Sequence, residues 1–339
     1  MSFATTLLQW FRQNGRSLPW RETRDPYAIW LSEIILQQTR IEQGLPYWQR
    51  FMQRWPTVDD LAAATEDEVL REWQGLGYYS RARNLHAAAR QVVALGGFPT
   101  TIAGLRSLKG VGDYTAAAIG SFAFDLPAAV VDGNVFRVLS RHYGIATPIN
   151  STQGKHEFTA LAQQLVDDIA DLSYSPHTSA ASAYNQAIMD FGATQCTPAA
   201  PRCEQCPLQE TCVALHDDKV GLLPVKSKTL KVKERHLCYV YVRYDGQTML
   251  RRRPLGDIWQ GLYEPWLTDV VPQGAVLLQQ GVKHVLTHRI VYADFWLWQP
   301  AERPTLPDGY FWTDEADIDR YGISRLVELL LEQLNQRLH

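Results

Sequence analysis

Four cysteines close together are the feature that most restricts how this chain can fold. Cys196, Cys203, Cys206 and Cys212 have the spacing C-x6-C-x2-C-x5-C and are four of the five cysteines in 339 residues. Such clustering is typical of a metal site and not of a secreted disulfide framework. Four thiolates can surround a tetrahedral zinc ion or the corners of a cubane cluster. The single C-x2-C pair with longer arms favours an iron–sulfur cluster, and zinc is the alternative.

The pattern of apolar and polar residues changes after this cysteine loop. Residues 1–215 carry apolar residues at three- to four-residue spacing, which predicts an almost entirely helical region. Residues 216–235 are lysine-rich and without period, so they are predicted to form a linker. Residues 236–339 contain alternating runs around Asp245-Gly246 and end in one helix, which indicates a small α+β domain.

The composition is that of an ordinary globular protein, with 46% hydrophobic and 20% charged residues. The longest apolar runs are too short to cross a bilayer, and the N-terminal segment has no signal-peptide cleavage pattern. We therefore expect a cytoplasmic protein. A net charge of −3 argues weakly against a nucleic-acid partner, although Arg81, Arg137 and the run 226–235 are candidates for a local basic face.

Two glycines mark a turn between predicted helices at about residues 101–125. The turn Gly110-Val111-Gly112 leaves backbone N–H groups free at the start of the next helix, which attracts a phosphate. Asp132 follows about twenty residues later and precedes Gly133-Asn134, so its side chain is placed to cap a helix. Separately, these features are an ordinary loop and an ordinary cap. Together they are much more specific.

The hairpin, the aspartate and the cysteine spacing together resemble the helix-hairpin-helix DNA glycosylases of the endonuclease III superfamily, and within it the MutY family. The matching segments are LPWR (18–21), WLSEIILQQTR (30–40), GLGYYSRARNLH (75–86) and VVDGNVFRVLSR (130–141). The resemblance implies a mainly α N-terminal part, with a six-helix barrel and an iron–sulfur cluster domain, followed by an α+β Nudix-like domain. It also implies a [4Fe-4S] cluster on the four cysteines.

The implied activity is excision of adenine opposite 8-oxoguanine or guanine in double-stranded DNA, by a monomer associated with the nucleoid. Excising a purine requires a proton for the leaving base and a negative charge near the oxocarbenium-like sugar. By resemblance, Glu33 gives the proton, Asp132 stabilises the sugar cation, Asn134 orients them and Tyr114 hydrogen-bonds into the pair. Apolar neighbours should raise the pKa of Glu33, which suits a general acid; a buried, salt-bridged glutamate is the alternative.

Tyr114 also occupies the position where strand-cleaving relatives carry a Schiff-base lysine. A phenol cannot form an imine, so the lyase route is not open to this residue. The sequence therefore predicts a monofunctional glycosylase.

The target adenine lies inside a duplex, so it must be flipped out and the gap filled. By resemblance, Gln38 and Tyr79 enter the helix, with Tyr79 stacking beside the opposite base, while Tyr78 packs in the core. The other predicted DNA contacts are Leu36, Gln37, Arg16, Arg21, Arg81, Gly110 and Gly112.

The Nudix-like region has no glutamate-rich helix of the R-E-x-x-E-E kind. Without those carboxylates it cannot hold the magnesium that pyrophosphate hydrolysis needs, so we expect it to bind and not to catalyse. The recognition loop, usually Phe-Ser-His in the family, is Leu286-Thr287-His288 here. Thr287 keeps a hydroxyl that could read the Hoogsteen edge of the lesion, and His288 is retained.

Three other functions are weighed against this one. A glycosylase of different base choice, such as a thymine-mismatch enzyme, is disfavoured by the C-terminal region and by LQQT. An iron–sulfur DNA-binding protein without catalysis is disfavoured by the presence of both Glu33 and Asp132. A Nudix nucleotide hydrolase lacks its metal carboxylates.

Overall fold

The computed structural model describes residues 2–175, 178–227 and 232–336. The chain divides into two compact units. The first comprises Met1–Ile41 and Ala88–Lys228, and the second comprises Glu42–Ala87 and Thr229–His339. Residues 42–87, which belong to the helical part of the sequence, thus group with the C-terminal region. The sequence domains 1–215 and 236–339, with their linker 216–235, stay a prediction.

The helices of the described chain are numbered in chain order. They are α1 (Phe3–Asn14), α2 (Pro26–Ile35), α3 (Ile41–Arg54), α4 (Val58–Ala63), α5 (Glu66–Glu72), α6 (Ser80–Ala94), α7 (Ile102–Arg106), α8 (Asp113–Phe124), α9 (Gly133–Tyr143), α10 (Thr152–Asp167), α11 (Ala180–Thr194), α12 (Val213–His216) and α13 (Arg325–Gln336). Within the described residues, no helix is both long and apolar enough to cross a membrane.

The strands fall almost entirely in the second unit. They are β1 (Ser173–Ser175), β2 (Thr178–Ser179), β3 (Lys233–Val242), β4 (Gln247–Arg252), β5 (Tyr263–Glu264), β6 (Trp266–Leu267), β7 (Val276–Val285), β8 (Arg289–Trp298) and β9 (Tyr310–Asp314).

Local caps fix two helix starts that matter for the site in the first unit. Asp25 accepts a hydrogen bond from the Tyr27 N–H, and Pro26 occupies the first position of α2. Asp132 accepts a hydrogen bond from the Val135 N–H at the start of α9. Such caps satisfy amide donors that have no partner within the helix. The sequence therefore sets where α2 and α9 begin.

The turn between α7 and α8 is built by two glycines with different roles. Gly110 has a φ of +76°, which favours glycine, while Gly112 is the N-cap of α8 at a φ of −92° and makes no side-chain cap. Val111 between them is buried. A Cβ built on Gly112 would meet nothing within 4 Å. The start of α8 is therefore a helix N-terminus with open space beside it.

The core of the first unit includes buried residues of α1, α8, α9, α10 and α11, among them Leu7, Phe158 and Ile188. Helix α11 approaches α9 closely at Gly192. A Cβ built there would lie 2.6 Å from the Asn134 Cβ and 3.1 Å from its Cα. Only glycine allows this approach without a shift.

The second unit contains two sheets and a closing helix. The order β6-β3-β8-β7 forms one sheet, in which β3 and β8 are parallel from Lys233↔Arg289 to Val242↔Trp298. The order β5-β4-β9 forms an antiparallel sheet. Helix α13 buries Leu330 in the core that contains β3 and β8. The predicted α+β fold of the C-terminal region is confirmed.

Polar contacts within the second unit join residues 42–87 to the sheets. The Tyr263 hydroxyl donates to Asp67 Oδ2 at 3.0 Å, and Arg252 pairs with Glu66 at 2.8 Å. The Arg83 guanidinium donates to the Gln260 carbonyl at 2.7 Å. Helices α5 and α6 are therefore tied to the β region by side chains on several elements.

Candidate active site

The central contact of the site joins Glu33 on α2 to Tyr114 on α8. The Tyr114 hydroxyl donates to Glu33 Oε2 at 2.7 Å, and the Met189 sulfur lies 3.4 Å from the same hydroxyl. Burial raises the pKa of Glu33 to about 7, although the hydrogen bond from Tyr114 opposes the rise; the charge of Asp132 raises this pKa and that of Arg21 lowers it. The Glu33 carboxyl therefore keeps its proton to a pH well above that at which an ordinary glutamate loses it.

Tyr114 keeps its own proton. Burial raises its pKa well above the usual value, and the charges of Glu33 and Asp132 add to the effect. The phenol is thus a permanent donor to Glu33.

Asp132 at the start of α9 is held by two donors. The Val135 N–H donates to Oδ1 at 2.8 Å, and the Asn134 amide donates to Oδ2 at 2.7 Å. Burial raises the pKa of Asp132 above its usual value, although these hydrogen bonds and the charge of Arg137 oppose the rise. The structure therefore brings together all four predicted catalytic side chains.

Arg137 holds the Asn134 amide in one orientation. Its guanidinium donates to Asn134 Oδ1 at 2.8 Å, to the Gly192 carbonyl at 2.6 Å and to the Cys196 carbonyl at 2.8 Å. Because the amide oxygen accepts from Arg137, the amide nitrogen is the atom left to donate to Asp132. The sequence offered Arg137 for a basic face, but it is buried.

Arg16 and Arg21 share a carboxylate partner within the first unit. Both Arg21 Nη atoms donate to Asp190 at 2.8 Å, and Arg16 donates through its backbone N–H at 3.0 Å and Nε at 3.1 Å. Burial raises the pKa of Asp190, but the hydrogen bonds from the two arginines outweigh burial and hold it at about 2. The prediction placed both arginines against DNA, whereas the structure pairs them with Asp190.

The residues after α2 differ in exposure. Gln38 is exposed and has a φ of +57°, a left-handed backbone that is uncommon for residues other than glycine. Leu36 and Gln37 are half-buried, and the Gln37 amide lies 3.5 Å from Thr115 Oγ1. Of these three predicted DNA contacts, Gln38 has the most accessible side chain.

The adjacent tyrosines of the second unit have the reverse of their predicted places. Tyr78 is 48% exposed, has a φ of +47°, and its hydroxyl is hydrogen-bonded to the Thr287 hydroxyl. Tyr79 is 6% exposed, and its hydroxyl donates to the Ile323 carbonyl at 3.3 Å. The prediction that Tyr79 is the stacking residue and Tyr78 the packing residue is therefore wrong. Tyr79 precedes Ala82 and Leu85 at helical spacing, and both are buried.

Arg81 is also buried, which corrects its prediction as a DNA contact. Its guanidinium donates to the carbonyls of Leu76 and Gly77 at 3.2 and 3.3 Å and lies over the Trp73 ring at 5.1 Å. Burial lowers its pKa to about 10. Arg81 braces the glycine turn that presents Tyr78.

The predicted recognition loop joins β7 to β8. Thr287 and His288 are exposed, and Leu286 is half-buried against the core of this unit. The contact between Thr287 and Tyr78 places this loop beside the glycine turn of residues 75–77.

The four clustered cysteines line one cavity together with Arg141 and Arg202. They are free thiols, and Arg141 Nη1 lies 3.4 Å from Cys196 Sγ. Burial raises the pKa of Cys206 to about 11, and the neighbouring cysteines contribute to the rise. Within the described ranges, no group of three or more His, Cys, Asp or Glu side chains is arranged to hold a metal ion.

The sequence analysis missed the buried contacts of Arg137 and Asp190 and assigned Tyr79 wrongly, although each position carried a signal. Arg137 lies three positions after Asn134, on the same face of a helix. Asp190 is a lone acidic residue in the apolar stretch of α11, where a buried carboxylate needs a partner. Tyr79 matches the buried face of α6, which leaves Tyr78 as the outward tyrosine.

Comparison with known proteins covers both units. A sequence model of the HhH-GPD superfamily base excision DNA repair proteins matches residues 31–166, and one of the NUDIX domain matches residues 238–333. These matches confirm the predicted fold class, a helix-hairpin-helix glycosylase fold followed by a Nudix-like domain.

Named relatives are adenine DNA glycosylases. That of Mus musculus is 46% identical over 233 residues, which are 66% of this chain and 43% of the mouse protein. That of Schizosaccharomyces pombe is 33% identical over 415 residues, covering 96% of this chain and 87% of the yeast protein. The chain spans less than half of the length of the mouse relative. A solved thermostable thymine-DNA glycosylase is 31% identical with a TM-score of 0.56, covering 63% of this chain and 95% of that one.

The raised pKa of Glu33 predicts a pH-dependent stability effect of Glu33→Gln. The unfolded carboxyl titrates near 4.5, whereas the folded one holds its proton up to about 7. The stability that this proton confers is complete below the unfolded pKa and is lost as the pH rises through the folded pKa. Glutamine cannot titrate, so from about pH 4.5 to 8.5 the variant should gain about 3 kcal/mol relative to the parent.

Urea unfolding at the two pH values measures this difference. Glu302→Gln is the control, because Glu302 is exposed and the same charge is removed without burial. A difference between Glu33→Gln and the parent that does not change with pH would contradict the assigned proton.

Proposed function

Because the chain belongs to the adenine DNA glycosylase family, we propose that it hydrolyses the N-glycosidic bond of adenine mispaired with 8-oxoguanine or guanine in double-stranded DNA. The observation that carries this proposal is the buried Glu33 carboxyl, hydrogen-bonded to Tyr114 and interacting with Asp132. A pair of carboxyl groups is the arrangement that most glycosidases use to break such a bond. All of these side chains come from one chain, which supports a monomeric enzyme, and we propose that its DNA substrate brings it to the nucleoid.

Glu33 supplies the proton in the proposed reaction. Near neutral pH a large fraction of the carboxyl is protonated, and it donates to N7 of the flipped adenine. The bond between C1′ and N9 then breaks, and its electron pair leaves with the base. The Tyr114 hydroxyl stabilises the carboxylate that remains. That carboxylate accepts a proton from the water that adds to C1′, which restores the acid and yields an abasic site.

Asp132 stabilises the positive charge of the sugar. Its two oxygens are already held by Val135 and Asn134, so little reorganisation accompanies the development of charge. Tyr114 offers no amine, so no imine with the sugar forms through it and the strand is not cleaved. The proposed enzyme is therefore monofunctional.

Tyr78 is the proposed wedge of the duplex. It is an exposed aromatic residue in the glycine turn, and its hydroxyl meets that of Thr287. We infer that its ring stacks beside the base opposite the adenine, while Thr287 and His288 read the Hoogsteen edge of 8-oxoguanine. Gln38 fills the gap that the flipped base leaves. The hairpin of Gly110 and Gly112 meets a phosphate at the start of α8.

Cys196, Cys203, Cys206 and Cys212 are the proposed ligands of a [4Fe-4S] cluster. The four thiols line one cavity, and their C-x6-C-x2-C-x5-C spacing, with a single C-x2-C pair, favours an iron–sulfur cluster over zinc. When bound, the cluster would cross-link the loop and fix its shape. The Cys196 carbonyl would then hold Arg137 in place.

The excision assay tests the proposed function directly. A duplex with one A:8-oxoguanine pair should acquire alkali-labile sites without direct strand breaks. Glu33→Gln should abolish release of adenine and keep mismatch binding, because it removes the proton and leaves the shape. Glu302→Gln is the matched control and should keep full activity.

Other products would point to other functions. Release of thymine from a G:T duplex without release of adenine would favour the thymine-mismatch alternative. A borohydride-trapped adduct in good yield would overturn the monofunctional claim.

The two tyrosines give a matched pair of variants. Tyr78→Ser should weaken mismatch binding by about 1–3 kcal/mol, the usual worth of one stacked base, with little change in the melting temperature. Tyr79→Ser should lower the free energy of unfolding by about 3–5 kcal/mol, because it empties a buried site. Binding titrations and denaturant unfolding measure both. If Tyr79→Ser weakened mismatch binding without loss of stability, and Tyr78→Ser did not weaken it, Tyr79 would be the residue that stacks in the duplex.

The metal content of the purified protein tests the cluster. Anaerobically purified protein should be brown, with about four iron and four sulfide per chain. Cys203→Ser should lose the colour. Colourless protein with stoichiometric zinc would instead support the zinc alternative.

A further inference from the structure

Asp190 is a fully buried carboxylate that neither donates to nor accepts from the catalytic residues. Two guanidinium groups and one backbone N–H donate to its oxygens, and they come from Arg16 and Arg21. Arg21 Nη1 also donates to the Arg16 carbonyl at 3.1 Å. The side chain of Arg21 is 13% exposed and that of Asp190 is not exposed at all. Arg21 is thus held from several directions in one orientation.

Asp190, which holds Arg21, follows Met189, and Met189 contacts the Tyr114 hydroxyl that donates to Glu33; the charge of Arg21 lowers the pKa of Glu33. The groups that act on Glu33 come from three other elements: Tyr114 on α8, Asp132 at the start of α9, and Arg21 in the turn Pro19–Arg21. Of these, Arg21 carries the positive charge that favours the carboxylate form. A guanidinium without a counter-ion there would favour loss of the proton that the reaction needs.

We propose that Asp190 is a positioning residue for base excision: it clamps Arg21 in an ion pair and so leaves Glu33 able to keep the proton that it gives to the leaving base. This inference rests on the proposed function. The neighbouring Met189 touches the Tyr114 hydroxyl, so α11 brings the clamp to the same end of the site. The clamp acts through Arg21 and touches no reacting atom.

The test is the pH dependence of single-turnover adenine excision, with enzyme in excess over an A:8-oxoguanine duplex. In the parent, the rate should fall as the pH rises through about 7, because the acid must be protonated. This fall is the basic limb of the pH profile. In Asp190→Asn, Arg21 has lost its carboxylate partner, so the limb should lie about one pH unit lower than in the parent. The rate should then lie about ninefold below that of the parent at pH 8 but only about twofold below it at pH 6. Asp190→Glu retains the charge and should restore the parent limb.

Arg21→Met provides the opposite arm. It removes the positive charge of Arg21, so the basic limb of the pH profile should move to higher pH. Adding Asp190→Asn to Arg21→Met should then cause no further shift of the limb. This arm also keeps the proposal testable if Asp190→Asn alone does not fold. A loss of rate by the same factor at every pH, with the limb unmoved in both single variants, would overturn the proposal and leave Asp190 a structural residue.

Failure of the clamp can be told from failure of the proposed function. No release of adenine by the parent at any pH would reject the glycosylase itself. Excision by the parent with an unmoved limb in the variants would reject only the clamp. A second readout needs no catalysis: the stability that Glu33→Gln gains as the pH rises should stop increasing at a lower pH, and be smaller in total, in the Asp190→Asn background.

Discussion

The guanidinium of Arg137 makes the contacts on which the arrangement of the candidate catalytic residues depends. It binds the Asn134 amide, the Gly192 carbonyl of α11 and the Cys196 carbonyl at the entry to the cysteine loop. A planar guanidinium offers its donors in a fixed fork, so its partners are held in fixed relative positions. The orientation of Asp132, which follows from Asn134, and the order of the cysteine loop are therefore not independent properties.

Helix α11 supplies the common support of residues that are distant in sequence. Met189 contacts Tyr114 on α8, Asp190 pairs with Arg21 near the N-terminus, and Gly192 lets α9 approach at Asn134. These three positions lie within one turn of a helix. A change in the packing of α11 would thus affect Tyr114, Arg21 and Asn134 together.

Helical periodicity and alternating strands were enough to predict a helical region followed by an α+β region, whereas the four candidate catalytic residues were predicted from the resemblance to a known family. Long-range pairs were not predictable in this way. The hydrogen bond from Tyr263 to Asp67 joins residues 42–87 to the sheets, and no local sequence pattern indicates this contact. The pairing of Asp190 with both arginines likewise depends on tertiary structure. The order of the two tyrosines could have been predicted, because Tyr79 continues the buried face of α6 and Tyr78 does not.

The left-handed backbones of Gln38 and Tyr78 have a consequence for how this protein can change. A side chain in that conformation costs the fold about 1 kcal/mol or more, and glycine or asparagine would relieve it. Selection for stability alone would therefore erode these two positions, each of which presents an exposed side chain. If these residues are retained, the protein gives up stability in order to keep a contact with a partner. Substitutions chosen only to raise thermal stability would therefore tend to fall on the same two residues.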